Sequence, residues 1–548
     1  MRPLLLAAAI TLAIACPLSL PAQEAKLPNI GSSAGELLTP ARQAEYGAMM
    51  LRELRNYDYV LEDPLLEEWL QNMGDRLVSN SDTPQQPFTF FLMRERQINA
   101  FATLGGYVAV NAGLILTAKR EDEAAGVLAH EIAHVSQQHV LRAVERAQRD
   151  QVPILLGMLA AIIAAQSVGG SSSSDATQAA LVSGMGLMQQ NQINYTRANE
   201  SEADRIGIRT LFRSGYDATA MADFFERMSL ATRGNQGGYS LPDYLSTHPV
   251  TTIRISEAKQ RAEQLTRNTI VGRTSVDGGE PRVERLNPNT IPASRPISPN
   301  DNPLLPGTLE WSGIDIRQGE VDRQFEWAKE RLRVLTAANP DAALREYESI
   351  RRGSAEGLND PQQYGLALVH MQKDADSAIA DLSDLLRKHP DNLWIAVALG
   401  QAESLAGKPA VANQHFETLL RQMPQHRAII LTYADVLNRQ STRESGRRAQ
   451  TLLRPLSSSS GEDPVFQETF ARACELAGDS MRAGEAYAEV AFLNGRPEQA
   501  LMQLQNLKRR DDLDYVTRAR VDARIAAITP TVLELRRQGI RDPSAQSP

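Results

Sequence analysis

His130-Glu131-Ile132-Ala133-His134 places two imidazoles four residues apart with a carboxylate between them. On a helix this spacing projects both histidines from one side, about one turn apart, so both reach a single ion while Glu131 addresses its bound water. The chemistry predicted is peptide-bond hydrolysis: zinc polarises the carbonyl and acidifies the water, and Glu131 takes the proton and hands it to the leaving amine. A catalytic zinc needs a third protein ligand and one open position. Motifs that keep the third histidine on the same helix demand Gly at 137 and His at 140, where this chain has Gln137 and Val140. His139 falls on the opposite face if the helix continues, and reads as a packing or surface histidine. The third ligand must therefore come from elsewhere in the chain.

The best candidate lies in Asn199-Glu200-Ser201-Glu202-Ala203-Asp204. Glu200 and Asp204 are spaced to share one helix face, so one can bind zinc while the other supports a ligand imidazole from behind. Glu202 projects elsewhere. The competing account is a charged, solvated helix start.

Several elements must position these groups. From Thr117 to about Arg149 the helical pattern is interrupted only by Gly126. Phe88 to Met93 and Tyr107 to Val110 read as strands, the second following the tight connection that Gly105-Gly106 permits and suited to lie beside the catalytic helix. Leu38 to Leu70 carries helical periodicity. Two apolar stretches, Ile154 to Ala165 and Ala179 to Met188, flank a Gly/Ser segment; too short to span a bilayer, they predict a buried or substrate-facing hairpin, with peripheral membrane contact as the alternative.

At 548 residues the chain exceeds one core. Aromatics make up 5%, and 58 basic against 66 acidic residues leave a net charge of −8, which supplies no broad cationic surface for nucleic acid. Met-Arg-Pro followed by the apolar run Leu4 to Ala15 and small residues near Ala22 predicts a secretory signal peptide and a periplasmic destination. Ala13-Ile14-Ala15-Cys16 competes as a lipid-attachment box, but has a small residue where such boxes favour Leu. Cys474 is the one cysteine outside the leader, so no disulfide forms within a processed chain. Residues 268 to 307 turn to Pro, Gly, Asn, Ser and Arg, a linker.

Beyond it a repeat emerges. Pro390 and Pro424 stand 34 residues apart, with Leu399, Gly400, Gly407, Ala412, Phe416 and Leu419 at the small and large positions of a tetratricopeptide repeat. Ala378, Leu382 and Leu385 match the same slots earlier, and Ala483, Tyr487, Val490, Ala500 and Leu504 continue the pattern irregularly.

Taken together, Asn99-Ala100-Phe101-Ala102, Gly105-Gly106-Tyr107, the segment Val127 to His134, Glu200 to Asp204, and Thr247-His248-Pro249 with Arg254-Ile255 resemble the successive signatures of the zinc endopeptidases related to the CAAX prenyl endopeptidase. The resemblance covers roughly residues 40 to 266. It implies His130, His134 and Glu200 as ligands of one Zn2+ per chain and Glu131 as general base, with Asp204, on the same helix face as Glu200, as the expected supporting catalytic-site residue. Arg254 would steady the developing oxyanion or a substrate carbonyl. His248 matches a histidine that, in relatives of this kind, can replace water on the zinc and hold the enzyme latent.

The fold class expected is mainly α: a zincin-type α+β metallopeptidase domain with a small sheet, followed by a tetratricopeptide-repeat α-solenoid. The expected domains are a signal peptide at 1–22, the peptidase at 38–267, the linker at 268–320, repeats at 321–530 and a flexible tail at 531–548. The function this implies is periplasmic proteolysis of unfolded or misassembled outer-membrane proteins, with the repeats binding substrate or the β-barrel assembly machinery. The alternative is a non-proteolytic chaperone or scaffold with a latent zinc site.

Overall fold

The computed structural model describes residues 39–143, 145–146, 196–234, 244, 248–270, 274–275, 282–283 and 318–537. The leader, the apolar hairpin at 154–188, most of the linker and residues 538–548 lie outside the described residues.

The segment from Leu38 to Leu70 is not one periodic helix. Helix α1 (Pro40–Asn56) ends before Asp58, which takes a φ of 58°, and strand β1 (Val60–Leu61) precedes helix α2 (Pro64–Ser79). Asp63 caps α2 by accepting from the Leu66 N–H at 3.1 Å, and Pro64 starts the helix where no amide is needed. Strands β2 (Thr89–Met93), β3 (Ala100–Ala102) and β4 (Tyr107–Asn111) complete a sheet of order β1-β2-β4-β3. β2 runs parallel to β4, and β3 antiparallel to it. The turn before β4 needs glycine: Gly106 has a φ of 84°, and a Cβ there would lie 2.2 Å from the Pro87 carbonyl oxygen.

β3 is one of the two edge strands, and it packs with helix α4 (Glu121–Ser136), which follows the short helix α3 (Ala112–Thr117), more extensively than β4 does. The start of α4 is fastened by its acidic first turn. Glu121 accepts from Trp69 Nε1 and Tyr216 Oη, both at 3.1 Å; Asp122 accepts from the Asp217 N–H at 2.8 Å; Glu123 pairs with Arg227 at 2.6 Å. Negative charge also suits this end of the helix dipole. Behind α4 lie helical residues 196–213 (α5), α6 (Ala220–Gly234) and α7 (Thr252–Ile270), the last running past the expected linker boundary at 268. Small residues bring α4 and α5 together: Ala203 packs with Ala133, and a Cβ on Gly207 would lie 3.1 Å from His130 Cα.

Within the expected linker, Thr274–Ser275 and Arg282–Val283 pair as a short antiparallel ribbon. The carboxy-terminal region is helical: α8 (Gln318–Leu335), α9 (Pro340–Gly353), α10 (Asp360–Lys373), α11 (Ala375–Lys388), α12 (Leu393–Leu405), α13 (Pro409–Gln422), α14 (Arg427–Arg439), α15 (Arg443–Leu453), α16 (Pro464–Ala477), α17 (Ser480–Leu493), α18 (Pro497–Lys508) and α19 (Tyr515–Arg537). α19 contains Pro530 and continues to Arg537, so the expected tail boundary at 531 falls inside a helix. Ala378, Leu382, Leu385, Ala412, Phe416, Ala500 and Leu504 are buried between successive helices. A Cβ on Gly400 would lie 2.6 Å from Phe416, which is how the small position lets α12 and α13 close.

The arm's orientation, open in the sequence, is a docked one. α8 packs on α2, α3 and α4, α14 on α2, and α17 on α1. Arg331 makes a buried two-pronged pair with Asp63 at 2.6–3.0 Å, and Lys329 donates to the Ala118 carbonyl at 2.6 Å. Among the described residues, no helix is long and apolar enough to cross a membrane.

Candidate metal centre

His130 and His134 emerge from α4, Glu200 from α5, and His248 from the segment leading into α7. One donor atom from each lies within 4.8 Å of all the others. His130 Nε2 and His134 Nε2 face each other at 3.0 Å. Glu200 Oε1 lies 3.4 Å from His134 Nε2 and 3.0 Å from His248 Nδ1, and Glu200 Oε2 lies 3.4 Å from His130 Nε2. The residues singled out on three separate segments are therefore brought to one point.

Around that point stand the remaining predicted residues. Asp204 Oδ1 is 3.0 Å from His130 Nδ1, the ring nitrogen turned away from the cluster. Glu131 is 1% exposed; its Oε1 has no hydrogen-bond partner and lies 3.6 Å from His248 Nε2. The Ala102 backbone of edge strand β3 favours the ionised form of Glu131, against the effect of burial. His248 thus turns Nδ1 to the cluster and Nε2 to Glu131, with its ring stacked on Tyr244 at 4.8 Å. Its backbone N–H donates to the Tyr244 carbonyl, and the Tyr244 N–H to Ile98 beside β3.

Arg254 is committed to the carboxylates. Its Nε and one terminal nitrogen donate to the two Asp204 oxygens at 2.7 and 2.8 Å, and its other terminal nitrogen lies 2.8 Å from both Pro249 O and Glu200 Oε2. Its guanidinium sits 5.0 Å above the Phe225 ring, which also meets His130 edge-on.

The electrostatics favour a cation at this point. Burial disfavours a charged His130, but hydrogen bonds to Asp204 and Glu200 overcome it and push the imidazole up to about 9. Burial dominates at His134, which falls to about 3 and stays neutral, ready to offer a lone pair. Burial works against the Glu200 and Asp204 charges, yet hydrogen bonds from the three histidines, and from Arg254 and His130, hold these carboxyls below their usual range. Burial raises Glu131, the direction a proton-accepting base requires. Three imidazole nitrogens and a carboxylate, with converging lone pairs and an orphaned buried oxygen beside them, fit a divalent metal.

His139 departs from its expected place. α4 stops at Ser136, and Gln138 takes a φ of 54°, turning the chain back on itself. His139 is consequently 3% exposed, with Nδ1 2.9 Å from His134 Nδ1 and Nε2 3.2 Å from Glu202 Oε2. Burial lowers its pKa against the Glu202 hydrogen bond. Glu202, read as pointing elsewhere, is part of this contact. The missed signal was the end of the helix, and no Gly or Pro marks it.

Comparison with known proteins agrees with this geometry. Residues 64–262 match Peptidase family M48. A Vibrio cholerae relative is 32% identical over 91% of both chains. The beta-barrel assembly-enhancing protease of Yersinia pestis is 30% identical over 92% of each chain, and that of Escherichia coli K12 is 30% identical over 91% of this chain and 90% of its own. The chain belongs to peptidase family M48, among the relatives of the beta-barrel assembly-enhancing proteases, and is a metalloprotease.

Proposed function

We propose that this chain is a zinc-dependent endopeptidase of the periplasm that cleaves misassembled outer-membrane proteins, with its helical arm binding those chains or the assembly machinery. The observation that carries the reading is the convergence of His130, His134 and Glu200 beside the unpartnered Glu131 oxygen. The relatives' names support a role in β-barrel assembly, and the amino-terminal leader pattern supports export.

Zinc, when bound, supplies a Lewis acid and acidifies water. His130, His134 and Glu200 hold it, and Asp204 orients His130. Arg254 holds Glu200 and Asp204 in place, because its donors are spent on them rather than left for a substrate oxyanion. Glu131 accepts the water's proton and returns it to the leaving amine. An extended peptide added to the edge strand β3 would run past α4, held by main-chain hydrogen bonds that demand little of its sequence. His248 lies between the ligand cluster and Glu131 and excludes water there, a latent state that its withdrawal relieves.

The test uses the purified full chain with casein. Glu131→Gln should lower kcat/KM by roughly 10²–10⁴-fold with zinc content unchanged, and undiminished cleavage would remove the mechanism. His248→Ala should raise cleavage several-fold, on the order of 1 kcal/mol in barrier; a variant no faster than wild type would count against latency. The position of His248 favours a second reading, a scaffold whose metal site is closed. Rescue of envelope defects by Glu131→Gln to the wild-type level would support it.

A further inference from the structure

The two histidines of α4 are backed differently. His130 turns Nδ1 to a carboxylate, Asp204, at 3.0 Å. His134 turns Nδ1 to another imidazole, His139, at 2.9 Å, and His139 turns Nε2 to Glu202 at 3.2 Å. Arg142 fixes the far end, donating to Glu202 at 3.3 Å and to the Gln137 carbonyl at 2.6 Å. Gln138, in the left-handed region, costs backbone energy that the turn retains and brings His139 back to the helix end.

Tautomer bookkeeping gives this chain one direction. A neutral imidazole carries one N–H. If His134 offers its Nε2 lone pair to the metal, its proton sits on Nδ1 and must be accepted by His139 Nδ1. The His139 proton then sits on Nε2 and is donated to Glu202. Each step specifies the next, so a half-buried carboxylate determines which nitrogen of a buried ligand faces the ion.

We propose that His139, anchored by Glu202, is a positioning residue that fixes the tautomer and ring orientation of His134 and thereby sets metal affinity. The proposal rests on reading His134 as a metal ligand. Outer partners of ligand histidines contribute in this way because an imidazole locked by a hydrogen bond loses no orientational freedom on binding and is a stronger donor.

The experiment compares wild type, His139→Phe, His139→Asn and Glu202→Gln as full chains. Zinc affinity is read by chelator competition, the visible spectrum of the Co2+-substituted protein reports ligand geometry, and thermal melts are run without metal. Phe fills the space but accepts no hydrogen bond, and should weaken zinc binding roughly 10–100-fold and alter the cobalt spectrum. Asn offers an oxygen near the Nδ1 position and should recover most of the loss. Glu202→Gln should fall between wild type and Phe. A Phe variant that melts lower without metal yet binds zinc as wild type does would reduce His139 to packing and overturn the proposal, as would an Asn variant no better than Phe. Wild type binding no zinc would instead remove the metal-centre reading as well.

Discussion

Around His130 and His134 the buried side chains include Glu131, Glu200, Asp204 and Arg254, whereas α12 to α14 of the arm bury Trp394, Ile395, Val397, Phe416, Ile429 and Tyr433. In the cleft Glu200, Asp204 and Arg254 are matched by a carboxylate, a guanidinium or an imidazole within hydrogen-bond reach, while Glu131 keeps one oxygen without a partner. In the arm many ion pairs sit outside, as in Lys408–Asp376 and Arg448–Glu417, where solvent screens them, with Arg333–Glu330 a more buried exception. Burying apolar area stabilises folding directly, while burying charge costs several kcal/mol per ion and is tolerated only with full pairing. The arm therefore derives stability from packing, and the cleft holds function at a cost that the surrounding core offsets.

Asp63 and Arg331 join the two regions, and they are where the contrast breaks most easily. Asp63→Ala leaves the Arg331 guanidinium buried without its partner and uncaps α2. It should cost about 3–5 kcal/mol in chemical denaturation, with zinc affinity per folded chain unchanged. A loss below about 1 kcal/mol would mean that the arm docks through apolar contacts alone.

Within the arm, Gly400→Val forces a side chain into the Phe416 ring and should cost about 1–3 kcal/mol. Cleavage of casein measured well below the melting temperature should stay near wild type, since the overpacked contact lies between arm helices. A comparable fall in zinc affinity would show the two regions to be coupled more tightly than the contrast allows.

At the start of α4, Glu121 is a buried acid hydrogen-bonded by neutral donors rather than by a cation. Burial lifts its carboxyl from 4.5 to about 7, while the Trp69 and Tyr216 donors pull the other way. A raised folded-state value means that the native chain keeps a proton the unfolded chain releases. The stabilisation is complete below 4.5 and is lost as pH rises through 7. Glu121→Gln should flatten that part of the stability profile between about pH 5 and 8, on the order of 2–3 kcal/mol. An unchanged slope would assign the pH dependence to other groups.

Reading along the chain was most successful where geometry is local. Strands β2 and β4 follow from their aromatic and β-branched runs, and the small and large slots of the arm follow from a helix-pair period. It failed where one residue redirects the backbone. Asp58 and the Asp63-Pro64 cap divide the stretch that carries helical periodicity, and Gln138 ends α4 early, which is why His139 does not lie on the face that helix spacing predicts. Neither Asp58 nor Gln138 belongs to a type that announces a left-handed turn as glycine does.

By itself the sequence determined which donors exist and which share a helix face, because a four-residue spacing on one helix has a single outcome. Tertiary structure alone decided that Glu200 faces the cluster while Asp204 stands behind His130, that His248 lies against Glu131, and that Arg331 reaches Asp63. Those outcomes depend on how closely Ala203 and Gly207 let one helix approach another, and on which surfaces exclude water together. Such nonlocal packing leaves no period along the chain.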